Sequence, residues 1–315
     1  MSRRSTPRKG APASESGAEA PAPPRAEVIY LDEELLVLNK PAGVPTTPTL
    51  DPRRVTLTRL AADLGLGYAE AAHRLDRDTT GVVLFGRSPQ AVARLCAAFE
   101  RREAQKLYWA LCARVPSGVE EGADVPRFGS IEALLEWARA LSRGELDARE
   151  RCAEGGEGWL TLHAPLKERR AGGRGVWEVV RAGGRGAVSR FRALALAPGL
   201  CLVAARPLTG RTHQLRAHLA HLGAPILGDR EYGGEAWGGL GLHARGVWVE
   251  GREFRGEVRW QPCVQQACVQ QPCVQPPPPS GTPPRGNSTT GVRSDRDTSP
   301  RRRDEASRKP STKTR

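Results

Sequence analysis

The chain has 315 residues, which is enough for one large domain or two small ones with a sizeable core. Its 48 lysines and arginines against 35 aspartates and glutamates give a formal net charge of +13, which favours a polyanionic partner. Seven cysteines without a CxxC pair argue against a disulfide framework and the usual zinc ribbons. No apolar run suits a signal peptide or a membrane span, so we expect a cytoplasmic protein that has reduced thiols and makes no membrane contact.

The excess positive charge lies mostly at the two ends of the chain. Residues 1–25 hold five basic and two acidic side chains, and residues 276–315 hold ten and four. Both ends lack large apolar side chains, so we predict disordered tails over 1–25 and 261–315 around a folded domain at 26–260. The repeat QPCVQQACVQQPCVQ at the start of the second tail fits neither a helix nor a strand, and its cysteines are too widely spaced for a usual zinc loop.

The first half of the folded domain predicts alternating strands and helices. Two apolar runs, VIYL and LLVL, indicate a β-hairpin that leads into a loop at Pro41 and Gly43. The segment 55–67, VTLTRLAADLGLG, places its leucines on one helical face. SPQAVARLCAAFERR predicts a second amphipathic helix with Ser88 as its N-cap. KLYWALC, residues 106–112, then predicts a strand with two apolar faces.

The second half begins with a segment in which we find no motif. Residues 116–158 are acidic and helical around IEALLEWARAL, and we interpret them as an insertion. WLTLHAPL, WEVV, AVSRFRALALA and LCLVAARPL predict strands separated by glycine and arginine turns. THQLRAHLAHLG predicts a helix capped by Gly223, and GVWVE predicts a last strand.

Three stretches place polar side chains in otherwise apolar surroundings. They are HRLDRDTTG at 73–81, QKLYWA at 105–110 and RPLTGRTHQLRAHL at 206–219. Taken singly, each has an ordinary structural explanation: Asp76 as a turn residue paired with its arginines, Tyr108 as a half-buried strand aromatic, and Arg211 as a surface cation. Taken together, and with DEELLVLNKPAG before them and GAPILGDREYGG and LHA after them, they resemble the RluA-type family of pseudouridine synthases.

The resemblance covers most of residues 27–260 and implies both a fold and a reaction. The fold is α+β, with a long mixed, largely antiparallel sheet, flanking helices and a central catalytic cleft. The reaction isomerises uridine in RNA: the N-glycosidic bond is cut, the uracil turns, and a new bond joins ribose C1′ to base C5. It needs no cofactor.

Site residues follow from the resemblance, motif by motif. Asp76 becomes the essential carboxylate, Tyr108 the aromatic that lies against the base and assists proton removal from C5, and Arg211 the partner of Asp76. Arg74 is expected to fill the gap left in the RNA stack, and His73 to orient the catalytic loop. An ionised carboxylate can stabilise positive charge on the ribose, attack C1′ or abstract a neighbouring proton. A nearby guanidinium keeps the carboxylate ionised.

We expect a monomer that binds RNA and not DNA. The expected substrate is a stem-loop of ribosomal or transfer RNA, because a base in a loop is the easiest to flip out. One alternative is a non-catalytic RNA-binding protein on the same scaffold. Another is a nucleoside or glycoside hydrolase, which would usually need a second acid beside Asp76, and Asp78 is the nearest. His213, His218 and His221 share one helix, but we favour packing or RNA contact over a metal site.

Overall fold

The computed structural model describes residues 24–145, 158–171 and 174–260, all of which belong to one compact unit. The two predicted tails lie outside the described residues, except for positions 24 and 25, and so do residues 146–157 of the predicted insertion. Within the described ranges, no helix is both long and apolar enough to cross a membrane.

Strands dominate the part of the chain that the structure describes. They are β1 (Glu27–Leu31), β2 (Leu35–Lys40), β3 (Glu70–Ala71), β4 (Thr80–Gly86), β5 (Gln105–Cys112), β6 (Leu160–His163), β7 (Leu166–Ala171), β8 (Arg174–Val179), β9 (Val188–Ala197), β10 (Leu200–Pro207), β11 (Leu242–Val249) and β12 (Arg252–Arg255). The helices are α1 (Leu57–Ala62), α2 (Pro89–Glu100), α3 (Ile131–Ser142) and α4 (Gln214–His221).

Ten of these strands form one mixed sheet with the order β1-β2-β4-β11-β5-β10-β9-β6, and β3 and β12 lie beside β4 and β11. The β4–β11 pair is parallel and the other pairs of the sheet are antiparallel. Strands β7 and β8 form a separate antiparallel pair. The predicted α+β fold with a long mixed, largely antiparallel sheet is confirmed.

Both faces of the sheet are buried, as the alternation along β5 predicts. On the front face, which carries Tyr108, Ala110 and Cys112, the sheet packs against Leu57 of α1 and Leu215 of α4. The back face carries the alternate residues of β5 and packs against α3 and α2. A fully buried leucine in such a layer contributes about 1.5–3 kcal/mol. The front face therefore forms one wall of a cavity that lies between the sheet, α4 and the loops beside it.

Helix α3 lies in the segment that we interpret as an insertion. Its Leu134 and Leu135 are buried against Trp109 and Leu111 of β5. The described part of residues 116–158 therefore helps to complete the core instead of standing apart from it. That it is an insertion relative to the family stays a prediction.

Helix and strand ends follow local signals, with one correction. Helix α1 ends at Ala62, just before Gly65, the residue expected to stop it, which takes a positive φ of 68°. The strand GVWVE is not the last one, since β12 follows it in a hairpin. Glu250 and Gly251 form its turn with φ angles of 51° and 72°, the positive values that tight hairpins require.

The parallel contact between β4 and β11 depends on a glycine. Gly81 has a φ of +114°, and a Cβ placed on it would lie 2.2 Å from the carbonyl oxygen of Ala244. We expect Gly81→Ala to lower the free energy of unfolding by about 2–5 kcal/mol, because the backbone must move and the side chain is strained. Urea unfolding measures the change. Gly129→Ala is the control, since nothing lies within 4 Å of its Cβ position; equal stabilities for both variants would contradict the expectation.

Candidate active site

A cavity of about 270 Å³ opens on the front face of the sheet. Its walls are the loop that leads into β4, the start of β5, and the segment 207–216 that leads into α4. All five residues singled out in the sequence line it. They are His73, Arg74, Asp76, Tyr108 and Arg211.

The loop that carries Asp76 is held by two side chains for which the sequence analysis predicted no role. Thr46 Oγ1 accepts a hydrogen bond from the backbone N–H of Leu75 at 3.0 Å and donates to its carbonyl oxygen at 3.1 Å. Lys40 Nζ donates to the carbonyl oxygen of Arg77 at 2.7 Å. Because these anchors lie on either side of Asp76 in the chain, they fix the position of its carboxylate. The NKPAG motif contains Lys40, but the motif alone does not say what the lysine contacts.

Among the described residues, Arg216 is the cation nearest to Asp76. Its Nη1 is 3.9 Å from Asp76 Oδ2, and the Asp76 side chain is 27% exposed. On its other side Arg216 binds Asp229 through Nε and Nη2, both at 2.7 Å, and its Nη2 also donates to Glu231 at 2.6 Å. Burial acts to lower the pKa of Arg216, but the hydrogen bonds and charge of Asp229 outweigh burial and raise it. A permanently charged guanidinium therefore faces Asp76.

The expected pairing of Asp76 with Arg211 is not what the structure shows. Arg211 is exposed, its Nε donates to the carbonyl oxygen of Gly186 at 3.1 Å, and its backbone N–H donates to Gln214 Oε1 at 3.0 Å. The reason is the start of α4 at Gln214: Arg216 lies in the first turn of the helix, whereas Arg211 precedes it. The string TGRTHQLR contains both arginines, and the resemblance led us to expect the pairing at Arg211. A role for Arg211 in binding or catalysis stays a prediction.

Gln214 fixes the segment before α4. Its Oε1 accepts from Thr209 Oγ1 at 2.7 Å, and its Nε2 donates to the carbonyl oxygen of Val188 at 2.9 Å and to Ser189 Oγ at 2.8 Å. This buried amide joins the wall of the cavity to β9. The position of Arg211, which donates its backbone N–H to the same oxygen, depends on it.

His213, which precedes α4, and His218 within it have separate surroundings. His213 Nε2 lies 4.0 Å from Asp76 Oδ2, but burial lowers the pKa of His213, so the imidazole is neutral near pH 7. His218 is fully buried, with ring nitrogens 2.9 Å from Ser189 Oγ and 3.0 Å from the carbonyl oxygen of Ala164. Among the residues that the structure describes, no three His, Cys, Asp or Glu side chains are grouped as a metal site requires.

Tyr108 lies on β5 between two alanines, Ala205 on β10 and Ala244 on β11. These small neighbours leave room above the strand for a flat ligand. Burial raises the pKa of Tyr108 above its usual value, and the charge of Asp76 raises it further. The phenol is therefore protonated near pH 7, where it can stack against a base or donate a hydrogen bond.

The two arginines of the HRLDRD motif and Asp78 face outward. Arg74 is exposed at the mouth of the cavity. Arg77 forms a bidentate ion pair with Asp78, in which Nε lies 3.0 Å from Oδ1 and Nη2 lies 2.8 Å from Oδ2. Both side chains are about half exposed. Asp78 is absent from the cavity lining, so it does not provide the second acid that a hydrolase would need.

Buried neutral histidines predict a loss of stability in acid. Burial lowers the pKa values of His73 and His243 to about 3. Between that pH and about 6.5 the unfolded chain binds more protons, so the free energy of unfolding falls by about 1.4 kcal/mol per pH unit for each histidine as the pH drops. We expect His243→Gln to flatten this slope in urea unfolding between pH 7 and pH 5. His221→Gln, at an exposed position, should keep the wild-type slope; an unchanged slope for His243→Gln would contradict the expectation.

Comparisons with known proteins agree with one another. The family model described as RNA pseudouridylate synthase matches residues 34–221. The mitochondrial pseudouridylate synthase RPUSD4 of Xenopus tropicalis is 35% identical over 223 residues, which are 69% of this chain and 62% of that protein. An uncharacterised RNA pseudouridine synthase of Zymomonas mobilis is 34% identical over 65% of this chain and 78% of its own length. The dual-specificity RNA pseudouridine synthase RluA of Pasteurella multocida is 30% identical over 67% and 79%.

Solved structures support the same fold. The human RNA pseudouridylate synthase domain containing 4 aligns with a TM-score of 0.51 at 22% identity, and the alignment covers 74% of this chain and 88% of that one. At this identity the likeness concerns the fold alone. Since the chain spans less than two thirds of the length of the Xenopus relative, the match concerns the shared domain.

Proposed function

Because the chain belongs to the RNA pseudouridylate synthase family, we propose that it isomerises uridine to pseudouridine in RNA, with Asp76 acting at ribose C1′. The observation that carries this proposal is the placement of Asp76. Its carboxylate lies in a cavity of about 270 Å³, 3.9 Å from the buried Arg216, in a wall shared with Tyr108.

The chemistry explains why this placement matters. Breaking the glycosidic bond leaves the ribose electron-poor at C1′, and an ionised carboxylate can stabilise that charge, attack C1′ or remove a neighbouring proton. Each route requires an ionised carboxylate, and the guanidinium of Arg216 lies 3.9 Å from Asp76 as its countercharge. The product has the same atoms as the substrate, so the proposed reaction consumes no second substrate.

We propose that the substrate is a structured loop of ribosomal or transfer RNA. The target atoms of a uridine lie within a base stack, so the base must be flipped out at a cost of a few kcal/mol. Arg74, at the mouth of the cavity, has the reach and charge to replace the flipped base, and Tyr108 offers a face for the base inside. Relatives include a transfer RNA pseudouridine synthase of Vibrio cholerae and a ribosomal large subunit pseudouridine synthase of Vibrio vulnificus. We further propose a cytoplasmic monomer.

Loss of the C5 hydrogen provides the test. Total RNA from cells that lack the gene is labelled with tritium at uracil C5 and incubated with the purified full chain. Formation of pseudouridine replaces this hydrogen, so we expect tritium in the water at a yield that matches one or a few sites per RNA molecule. A folded protein that binds the RNA but releases no tritium would overturn the proposal in favour of a non-catalytic RNA-binding protein.

A further inference from the structure

Lys106 brings a positive charge into the cavity. It precedes Tyr108 by two residues on β5, so both side chains lie on the same face of the strand, and both line the cavity. Its ammonium lies 5.7 Å from the centre of the Phe99 ring and 3.9 Å from the position that a Cβ on Gly210 would take. These two neighbours place the ammonium between α2 and the segment that leads into α4.

No described carboxylate neutralises this charge. Arg216 and Arg77 have carboxylate partners, and Lys40 donates to three backbone carbonyl oxygens. Lys106 has no ion pair or hydrogen bond within the described residues; its contact is the face of the Phe99 ring, which attracts a cation without cancelling its charge. Burial without an anion lowers the pKa of Lys106. A mostly buried, uncompensated ammonium destabilises the fold, and such costs are concentrated at functional sites.

The proposed reaction creates a negative charge that needs a partner. When the C1′–N1 bond breaks, its electron pair goes to the uracil ring and spreads onto the two carbonyl oxygens. Asp76 complements the electron-poor ribose, but it repels the negative ring. The neutral phenol of Tyr108 can support the ring but cannot balance its charge. A cation inside the cavity would stabilise this charge.

We propose that the Lys106 ammonium binds a carbonyl oxygen of the flipped uracil and stabilises the negative charge of the ring while it is detached from the ribose. This role rests on the proposed function and makes Lys106 a catalytic residue. The charge disappears when C5 bonds to C1′ and gives its electron pair to the new bond. The ring then loses the C5 proton and gains one at N1, so Lys106 undergoes no net change.

Substitution of Lys106 tests the role. We expect Lys106→Met to lower kcat by about 100-fold or more, with a smaller change in KM, because the charge acts mainly in the transition state. Lys106→Arg should recover part of the rate. Lys167→Met removes the same charge from an exposed position of β7 and should leave the rate unchanged. Lys106→Met should also unfold at a higher urea concentration than the wild type, because it removes an uncompensated buried charge. A variant that is more stable but less active has lost catalysis and has not misfolded.

A second substrate separates charge stabilisation from simple binding. Fluorine at C5 withdraws electrons and stabilises the detached ring, so the rate deficit of Lys106→Met should shrink when consumption of 5-fluorouridine RNA is followed. Two results for Lys106→Met would overturn the role of Lys106, provided that the wild type converts uridine. One is a raised KM with an unchanged kcat. The other is the same loss of rate on uridine RNA and on 5-fluorouridine RNA. A wild type that leaves uridine unchanged would overturn the proposed function itself, and with it the role of Lys106.

Discussion

Asp76→Asn is expected to lower pseudouridine formation by about a thousand-fold or more while most of the RNA affinity remains, since the carboxylate serves the chemistry and the basic groups serve binding. The amide is nearly the same size, so the loop held by Thr46 and Lys40 should keep its shape. It has no ionised form, so it can neither attack C1′ nor offset the charge on the ribose. Turnover on tritiated RNA and a binding isotherm on the same RNA measure the two effects.

Asp78→Asn is the matched control for this prediction. It makes the same chemical change two residues away, at a half-exposed ion pair outside the cavity lining. Such pairs contribute at most about 1 kcal/mol to stability, so activity and fold should both stay close to the wild type. Substantial turnover by Asp76→Asn, or equal losses in the two variants, would show that Asp76 is not the reacting carboxylate.

Arg216→Gln should damage both stability and activity. It leaves Asp229, whose side chain is fully buried, without its guanidinium, and such a loss lowers the free energy of unfolding by about 3–5 kcal/mol. It also removes the cation 3.9 Å from Asp76, so turnover should fall even at temperatures where the variant is folded. Urea unfolding and turnover at a temperature below the transition separate the two losses.

Arg211→Gln is the comparison that decides between the two arginines of TGRTHQLR. Arg211 is exposed and bonds a backbone carbonyl oxygen, so its loss should change stability by less than about 1 kcal/mol. We expect its effect on turnover to be smaller than that of Arg216→Gln and to appear mainly in KM. A greater loss of turnover from Arg211→Gln than from Arg216→Gln would restore Arg211 as the partner of Asp76.

Local pattern was enough to predict much of the fold. The alternation in KLYWALC identified β5 and its two buried faces, and Ser88 caps α2 by accepting from the backbone N–H of Ala91. The strand pattern and the helix cap depend on neighbouring residues, so a single sequence is enough to predict them. The HRLD string identified Asp76 through the family resemblance, but the anchors of its loop, Thr46 and Lys40, lie elsewhere in the chain.

Features that depend on contacts between distant residues were not predictable in this way. The sequence gives no sign that β4 and β11 pair in parallel, or that α3 packs against β5. The choice of Arg216 over Arg211 depends on where α4 begins relative to Asp76, across 140 residues of chain. The sequence shows Lys106 in KLYWA, but only the folded structure shows that no described carboxylate lies close enough to pair with its ammonium.

A map of pseudouridine in cellular RNA, made by chemical labelling and mass analysis with and without the gene, tests the central claim most directly. We predict that one or a few uridines in ribosomal or transfer RNA lose the modification without the gene, and that the wild-type gene restores them while the Asp76→Asn gene does not. An identical map in all strains, together with no tritium release by the purified protein, would contradict the assignment of this chain as a pseudouridine-forming enzyme.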